Sequence, residues 1–189
     1  YEIGSGLVGS EMCIRDRLSD EKNRLLGTII VMQDVSELKK AYAELENMVI
    51  YDQLTGVYSM YSFMEHCKQY DEYNGSVAVV VCDINIQYGQ KAGNQALINV
   101  AGVLKKILMD RAYIARINEG DFVAVMKNVT DAEADKTFEQ IKRTVEKECN
   151  NGKLGVTIEY GIAMRKASNR WIMDIVHEAV NDMRDRKGR

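Results

Sequence analysis

Apolar and polar residues alternate most cleanly near the C-terminus, where Leu154, Val156, Ile158, Tyr160, Ile162 and Met164 occupy every second position. A period of two turns successive side chains to opposite faces, so this stretch predicts a strand with one buried face. Val77 to Cys82 is an unbroken apolar run, which predicts a strand covered on both sides. Between these strands the period becomes helical. Leu97, Val100, Ala101, Leu104, Ile107 and Leu108 share one side of a helix predicted over 91–109. Ala112 to Ile117 and Phe122 to Met126 flank a polar four-residue turn, the pattern of a β-hairpin. Thr130 and Glu133 form a reciprocal capping pair that opens a helix to Cys149, with Ala134, Phe138, Ile141 and Val145 on its inner side. Asn74-Gly75 and Asn151-Gly152 mark turns. Ser168 or Asn169 is expected to cap a last helix with Trp171, Ile175, Ala179 and Met183 inward.

Upstream, Ser59 to Tyr70 has helical spacing, with Ser59 as the cap. Val35, Leu38, Tyr42, Leu45 and Val49 are spaced 3, 4, 3, 4, the seam of a short coiled coil, and Ser36 is a candidate cap for that helix. Arg24 to Val35 reads as one strand, which alone cannot bury a core. Tyr1 to Arg17 carries neither period and is expected to be a non-native or disordered tail.

The order from Val77 onward is β-α-β-β-α-β, the split βαβ or ferredoxin-like plan. That plan sets the first strand antiparallel to the third. Asp83 closes the first strand, and Asn118 to Asp121 is the turn that opens the third. Strand direction therefore predicts Asp83 beside that turn. Carboxylates gathered at a strand end suit a hard cation such as Mg²⁺, which takes oxygen ligands and acts on phosphates.

Composition narrows the function. The 189 residues are 46% hydrophobic and 28% charged, as in soluble globular domains. A net charge of −3 and a pI near 5.5 argue against nucleic-acid binding, which needs a basic face. No apolar run is long enough to span a membrane. The four cysteines are scattered without metal-type spacing and read as reduced thiols of a cytosolic protein. His66 and His177 lie far apart on helix-like stretches and read as packing or surface residues. The absence of proline leaves no X-Pro bond to mark a linker.

Five motifs occur in order on these elements. Asp52-Gln-Leu-Thr-Gly56 resembles the Asp-x-Leu-Thr-Gly segment that opens GGDEF domains, and Asp83-Ile84-Asn85 resembles their Asp-Ile-Asp. The stretch Tyr88-Gly89 through Gly93-Asn94 to Leu97 resembles Phe-Gly-His-x-x-Gly-Asp-x-x-Leu. Arg116-Ile117-Asn118-Glu119-Gly120-Asp121-Phe122 resembles Arg-Tyr-Gly-Gly-Asp-Glu-Phe, and Val156 to Ala163 resembles the last strand, Val-Thr-x-Ser-x-Gly-Ile-Ala. The resemblance covers 52–187. It implies a nucleotide-cyclase palm in which two GTP-loaded domains meet, with Mg²⁺ at the hairpin, to form cyclic di-GMP. Chemistry of that kind is mostly positioning and charge neutralisation.

The sequence departs from that pattern at the chemical positions. Asp83 keeps the first metal acid, but the second is Asn85. Only Ile86 and Gln87 precede Tyr88, so the guanine-reading Asn of a longer family segment has no counterpart. Asn94 replaces the guanine-contacting Asp and offers a carbonyl without charge. In the gap-free alignment Asn118 and Glu119 replace two glycines, Gly120 replaces the metal acid and Asp121 replaces the Glu. A shifted alignment with two compensating gaps makes Asp121 the metal acid. The product-inhibition Arg-x-x-Asp falls on Met109 and Ala112 and is absent. Lys187 resembles the phosphate-contacting Lys of the last helix, although a solvated tail charge is the plainer reading.

The expectations are these. The fold is α+β, a ferredoxin-like βαββαβ core of the cyclase palm type. Residues 1–17 are a tail; 18–36 are the C-terminal remnant of a PAS-like sensor domain, because the apolar strand followed by Asp34-Val35-Ser36-Glu37 resembles the Asp-(Ile/Val)-(Thr/Ser)-Glu exit of PAS domains; 37–51 are a signalling helix and 52–189 the GGDEF-type domain. Asp83 is the candidate Mg²⁺ ligand and Asp121 the candidate catalytic residue. Asn118, Glu119, Gly120, Asp121 and Asn94 form the candidate nucleotide site. A homodimer through 37–51 is expected, with GTP or cyclic di-GMP as ligand, no nucleic acid and no membrane contact by this stretch. The expected location is the cytoplasm, free or as part of a membrane-anchored receptor. The expected function is a cyclic di-GMP signalling module without catalysis that acts through dimerisation or regulation, with an active diguanylate cyclase or a GTP or cyclic di-GMP receptor as the alternatives. The turn itself reads first as a plain polar hairpin turn, then as a residual nucleotide or metal site, and last as an active cyclase.

Overall fold

The computed structural model describes residues 11–86, 90–150, 155–166 and 170–188. The chain forms two units, Tyr1–Asn47 and Met48–Arg189. The turn at Asn151-Gly152 and the caps expected at Ser168 or Asn169 lie outside the described residues. Among the described residues no helix is long and apolar enough to cross a membrane.

In the first unit, β1 (Glu11–Ser19) pairs antiparallel with β2 (Leu25–Asp34). This corrects the sequence reading twice. Residues 11–17, expected to lack structure, belong to a strand, and β2 is not alone. The turn between the strands is organised by the Asp20 carboxylate, which accepts from the Lys22 and Arg24 amides at 2.9 and 2.8 Å. Helix α1, which begins in this unit, spans Ser36–Ile50, and its last three residues belong to the second unit. Its first amide, Ser36 N–H, donates to Asp34 Oδ1 at 2.9 Å, so the acid two residues earlier does the capping expected of Ser36.

The second unit is a four-stranded antiparallel sheet in the order β4-β5-β3-β6, built from β3 (Val77–Ile86), β4 (Ala112–Arg116), β5 (Asp121–Lys127) and β6 (Val156–Arg165). The expected palm topology is therefore present, with the first and third palm strands adjacent. Even-numbered residues of β3 meet α3 (Gln90–Leu108) and α4 (Asp131–Asn150) in one core that includes Ala78, Val80, Cys82, Leu104 and Phe138. Odd-numbered residues meet α2 (Met60–Asp71) and α5 (Ile172–Lys187) in another that includes Val77, Val79, Val81, Phe63 and Ile175. This explains the unbroken apolar run of β3.

The local caps follow the sequence in two cases. Ser59 Oγ accepts from Ser62 N–H at 3.2 Å, and Thr130 and Glu133 cap each other reciprocally, at 2.8 and 3.3 Å. Helix α5 differs. Its first amide, Ile172 N–H, donates to Asp71 Oδ1 at 2.6 Å, a cap supplied by the end of α2. Trp171 precedes the helix and is 68% exposed, so it does not point inward as expected.

Strand β6 also exceeds its prediction, because its odd-numbered face is covered where α5 crosses it. A methyl group on Gly161 would lie 2.1 Å from Ala179 O and 2.3 Å from Met183 N. Only a residue without a side chain lets the helix backbone come so near. Asp182 of α5 then accepts from the Ile162 amide at 2.9 Å and from Arg186 Nε at 2.7 Å.

Candidate functional site

The strand register puts Asp83 directly opposite Asp121 on one side and opposite Glu159 on the other. Paired residues in antiparallel strands point to the same face. Asp121, Asp83 and Glu159 thus form one row across β5, β3 and β6, at the end of the face that α5 covers. Asp83 lies beside the hairpin turn, as strand direction predicted: Ile84 N–H donates to Gly120 O at 3.0 Å. A Cβ on Gly120 would stand 3.2 Å from Ile84 O, so backbone approaches backbone closely there.

The turn is closed by its own bonds. Ile117 N–H donates to Asp121 O at 2.9 Å, and Asn118 Nδ2 donates to Asp121 Oδ2 at 3.0 Å. Arg116 ties the turn to the segment before α2. Its Nη1 donates to both carboxylate oxygens of Asp52 at 3.2 Å, and its Nη2 donates to Glu119 O at 2.6 Å. Asp52 also accepts from the Thr55 amide and hydroxyl at 2.9 and 2.6 Å. Burial alone would raise the Asp52 carboxyl, but the Thr55 bonds and the Arg116 charge outweigh it and hold the group below the usual carboxylate range. Asn118 and Glu119 are exposed.

Each acid of the row has a donor from the protein itself. Lys187 Nζ, in the last turn of α5, stands 3.4 Å from Asp83 Oδ2, and Asn85 Nδ2 stands 3.3 Å from the same oxygen. Lys142 of α4 reaches Glu159 at 3.2 and 3.3 Å. Lys187 is therefore more than a solvated tail charge, although its side chain is 56% exposed. Below the row, burial and then the charge of Asp121 push the Cys82 thiol well above its ordinary range, so it is an inert core group.

Asn94 is exposed in α3, and among the described residues no hydrogen bond joins it to the turn. Tyr88 and Gly89 lie outside the described residues. The structure thus gathers Asp83, Asn118, Glu119, Gly120 and Asp121 and leaves Asn94 unlinked to them. Sequence reasoning overlooked Glu159 and Lys142 and undervalued Arg116 and Lys187. Counting the antiparallel register outward from Asp83 is the signal that would have found Glu159.

The resemblance implies Mg²⁺ held by acids at this hairpin. Among the described residues no group of three or more His, Cys, Asp or Glu side chains is placed to hold a metal ion. Asp83 is already bonded to an ammonium, and Asp121 to an amide. As the side chains stand, they do not fit a resident Mg²⁺. A groove of about 930 Å³ lies elsewhere, along the outer border of β4, with Met109 and Ala112 in its lining.

The family model for the diguanylate cyclase GGDEF domain matches residues 49–189. The cyclic di-GMP phosphodiesterase PdeB of Shewanella oneidensis is 27% identical over 169 residues, which is 83% of this chain and 19% of that protein. The chain thus spans about a fifth of that relative. The coiled coil and GGDEF domain of DgcB from Caulobacter crescentus, solved in complex with c-di-GMP, superposes with a TM-score of 0.72 at 21% identity, covering 82% of this chain and 90% of that one. The GGDEF domain of FimX from Pseudomonas aeruginosa gives 0.62 at 20% identity, covering 72% and 92%. At that identity the two structures speak for the fold, and the match over 49–189 shows that this chain belongs to the GGDEF family.

Proposed function

We propose that the chain is a cyclic di-GMP signalling module whose GGDEF-type domain has a degenerate signature, has lost catalysis and works through dimerisation or regulation. The observation that carries this reading is the closed hairpin turn. Backbone that receives a phosphate chain must be open, which is why the family uses glycine there. Here Asn118 and Glu119 supply side chains, one of them anionic, and the Asn118 amide groups turn back onto Asp121. The test is purified protein with GTP and Mg²⁺. No cyclic di-GMP is expected. Product that forms and then disappears in Asp83→Ala would overturn the reading in favour of an active cyclase. Nucleotide binding by calorimetry without turnover would make it a GTP or cyclic di-GMP receptor.

The dimer is proposed to form along α1. Leu38, Tyr42, Leu45 and Val49 are 56, 61, 58 and 48% exposed, and they are the heptad positions. A stripe of that kind is stabilised by a second copy of itself. Residues 18–36 are read as the end of a PAS-like sensor that feeds this helix, with the whole module in the cytoplasm.

A further inference from the structure

We propose that Lys187 is a tethered counter-ion that takes the place of a divalent cation at Asp83. The observation is the donor set on one oxygen. Asp83 Oδ2 receives Lys187 Nζ at 3.4 Å and Asn85 Nδ2 at 3.3 Å. A divalent ion needs the same lone pairs, and an ammonium already on that oxygen repels it. The same arrangement extends along the row, with Lys142 on Glu159 and the Asn118 amide on Asp121. Each acid thus already holds a side-chain donor from its own chain on at least one oxygen.

Lys187 is held there by the seating of α5. The helix is capped by Asp71 at its start and bonded to the Ile162 amide through Asp182, and its backbone rests on Gly161. A cation carried on a seated helix is present at high effective concentration without being bound from solution. The pair is only partly buried, with side-chain exposures of 56% and 29%, so it competes with a metal and does not exclude it absolutely. This inference concerns cation occupancy and stands apart from the proposal on catalysis.

The experiment is titration with Mn²⁺, without nucleotide, followed by the electron paramagnetic resonance of the free ion. Four forms of the full chain are compared: wild type, Lys187→Met, Lys187→Arg, and Lys187→Met combined with Asp83→Asn. Circular dichroism checks that each is folded. Lys187→Met should tighten Mn²⁺ binding by about five-fold, the weight of an exposed ion pair. Lys187→Arg keeps the charge and should behave as wild type. The double variant should lose the gain. Equal Mn²⁺ binding by wild type and Lys187→Met overturns the inference, as does a gain that survives Asp83→Asn. Because no GTP is present, these outcomes are independent of whether the protein makes cyclic di-GMP.

Discussion

The Arg116 guanidinium holds both carboxylate oxygens of Asp52 at 3.2 Å. A second nitrogen of the same group bonds the Glu119 carbonyl. One side chain therefore fixes the hairpin turn to the segment that leads from α1. Asp52→Asn removes the charge and should cost about 2 kcal/mol, the range for a hydrogen bond to a charged group. Urea unfolding at neutral pH measures it.

The same pair sets a pH dependence. The folded Asp52 carboxyl lies below its unfolded value. Its contribution is full above the unfolded value, about 3.9, and is lost as pH falls through the lower folded one. The stability gap between wild type and Asp52→Asn should therefore close below about pH 4. Urea midpoints between pH 7 and pH 3 give the curve, and a gap that widens on acidification would contradict the assignment.

Tyr113 gives the opposite sign. Its ring stacks on Tyr58 with centroids 4.3 Å apart and on His66 at 4.2 Å, and its hydroxyl shares a hydrogen bond of 2.8 Å with Ser62. Burial pushes the phenol up to about 12. The neutral ring is what the fold favours, so the stabilisation is full below the unfolded value, about 10, and is lost as pH rises through about 12. Spectrophotometric titration near 295 nm should lose one late-titrating tyrosine in Tyr113→Phe, at a cost of about 1 kcal/mol in stability.

Gly161 admits no side chain. Gly161→Ala brings a methyl into the backbone of α5 and should destabilise the domain by roughly 3 kcal/mol, the upper range for overpacking. Thermal melts compared with wild type test this, with Gly102→Ala as the control, since nothing lies within 4 Å of a methyl there.

The α1 stripe predicts an oligomeric change. Leu45→Glu places a charge in the proposed seam and should weaken the dimer on the order of a hundred-fold, given about 2–3 kcal/mol for a buried leucine. Sedimentation velocity over a concentration series reads it. A wild-type protein that stays monomeric at high concentration would remove the dimer proposal.

Much of the palm was legible because its signals are local. The apolar run of β3, the Thr130–Glu133 cap and the Ser59 cap depend on neighbours within a few residues. Strand direction alone put Asp83 at the hairpin. What the sequence concealed depends on distant partners. Trp171 looked like an inward residue because it is large and apolar, yet the helix start is set by Asp71, 101 residues away. Glu159 joins the acidic row only through cross-strand register. Lys187 looked like a tail charge because nothing near it in sequence shows which carboxylate it meets. Strand β1, with charges at Glu11, Arg15, Asp16 and Arg17, has no period to read, and its pairing with β2 alone defines it.

Gly161 and Lys187 are linked as the fulcrum and tip of a lever. Helix α5 touches down on the sheet at Gly161, through Ala179 and Met183, and projects onward by about 1.5 Å per residue to Lys187. Lifting the fulcrum by the width of a methyl carries the tip with it. An ammonium 3.4 Å from its carboxylate is already at the limit of a bond. Whether Asp83 has its counter-ion is therefore decided partly by a residue with no charge and no side chain, two strand positions along β6 from the acidic row.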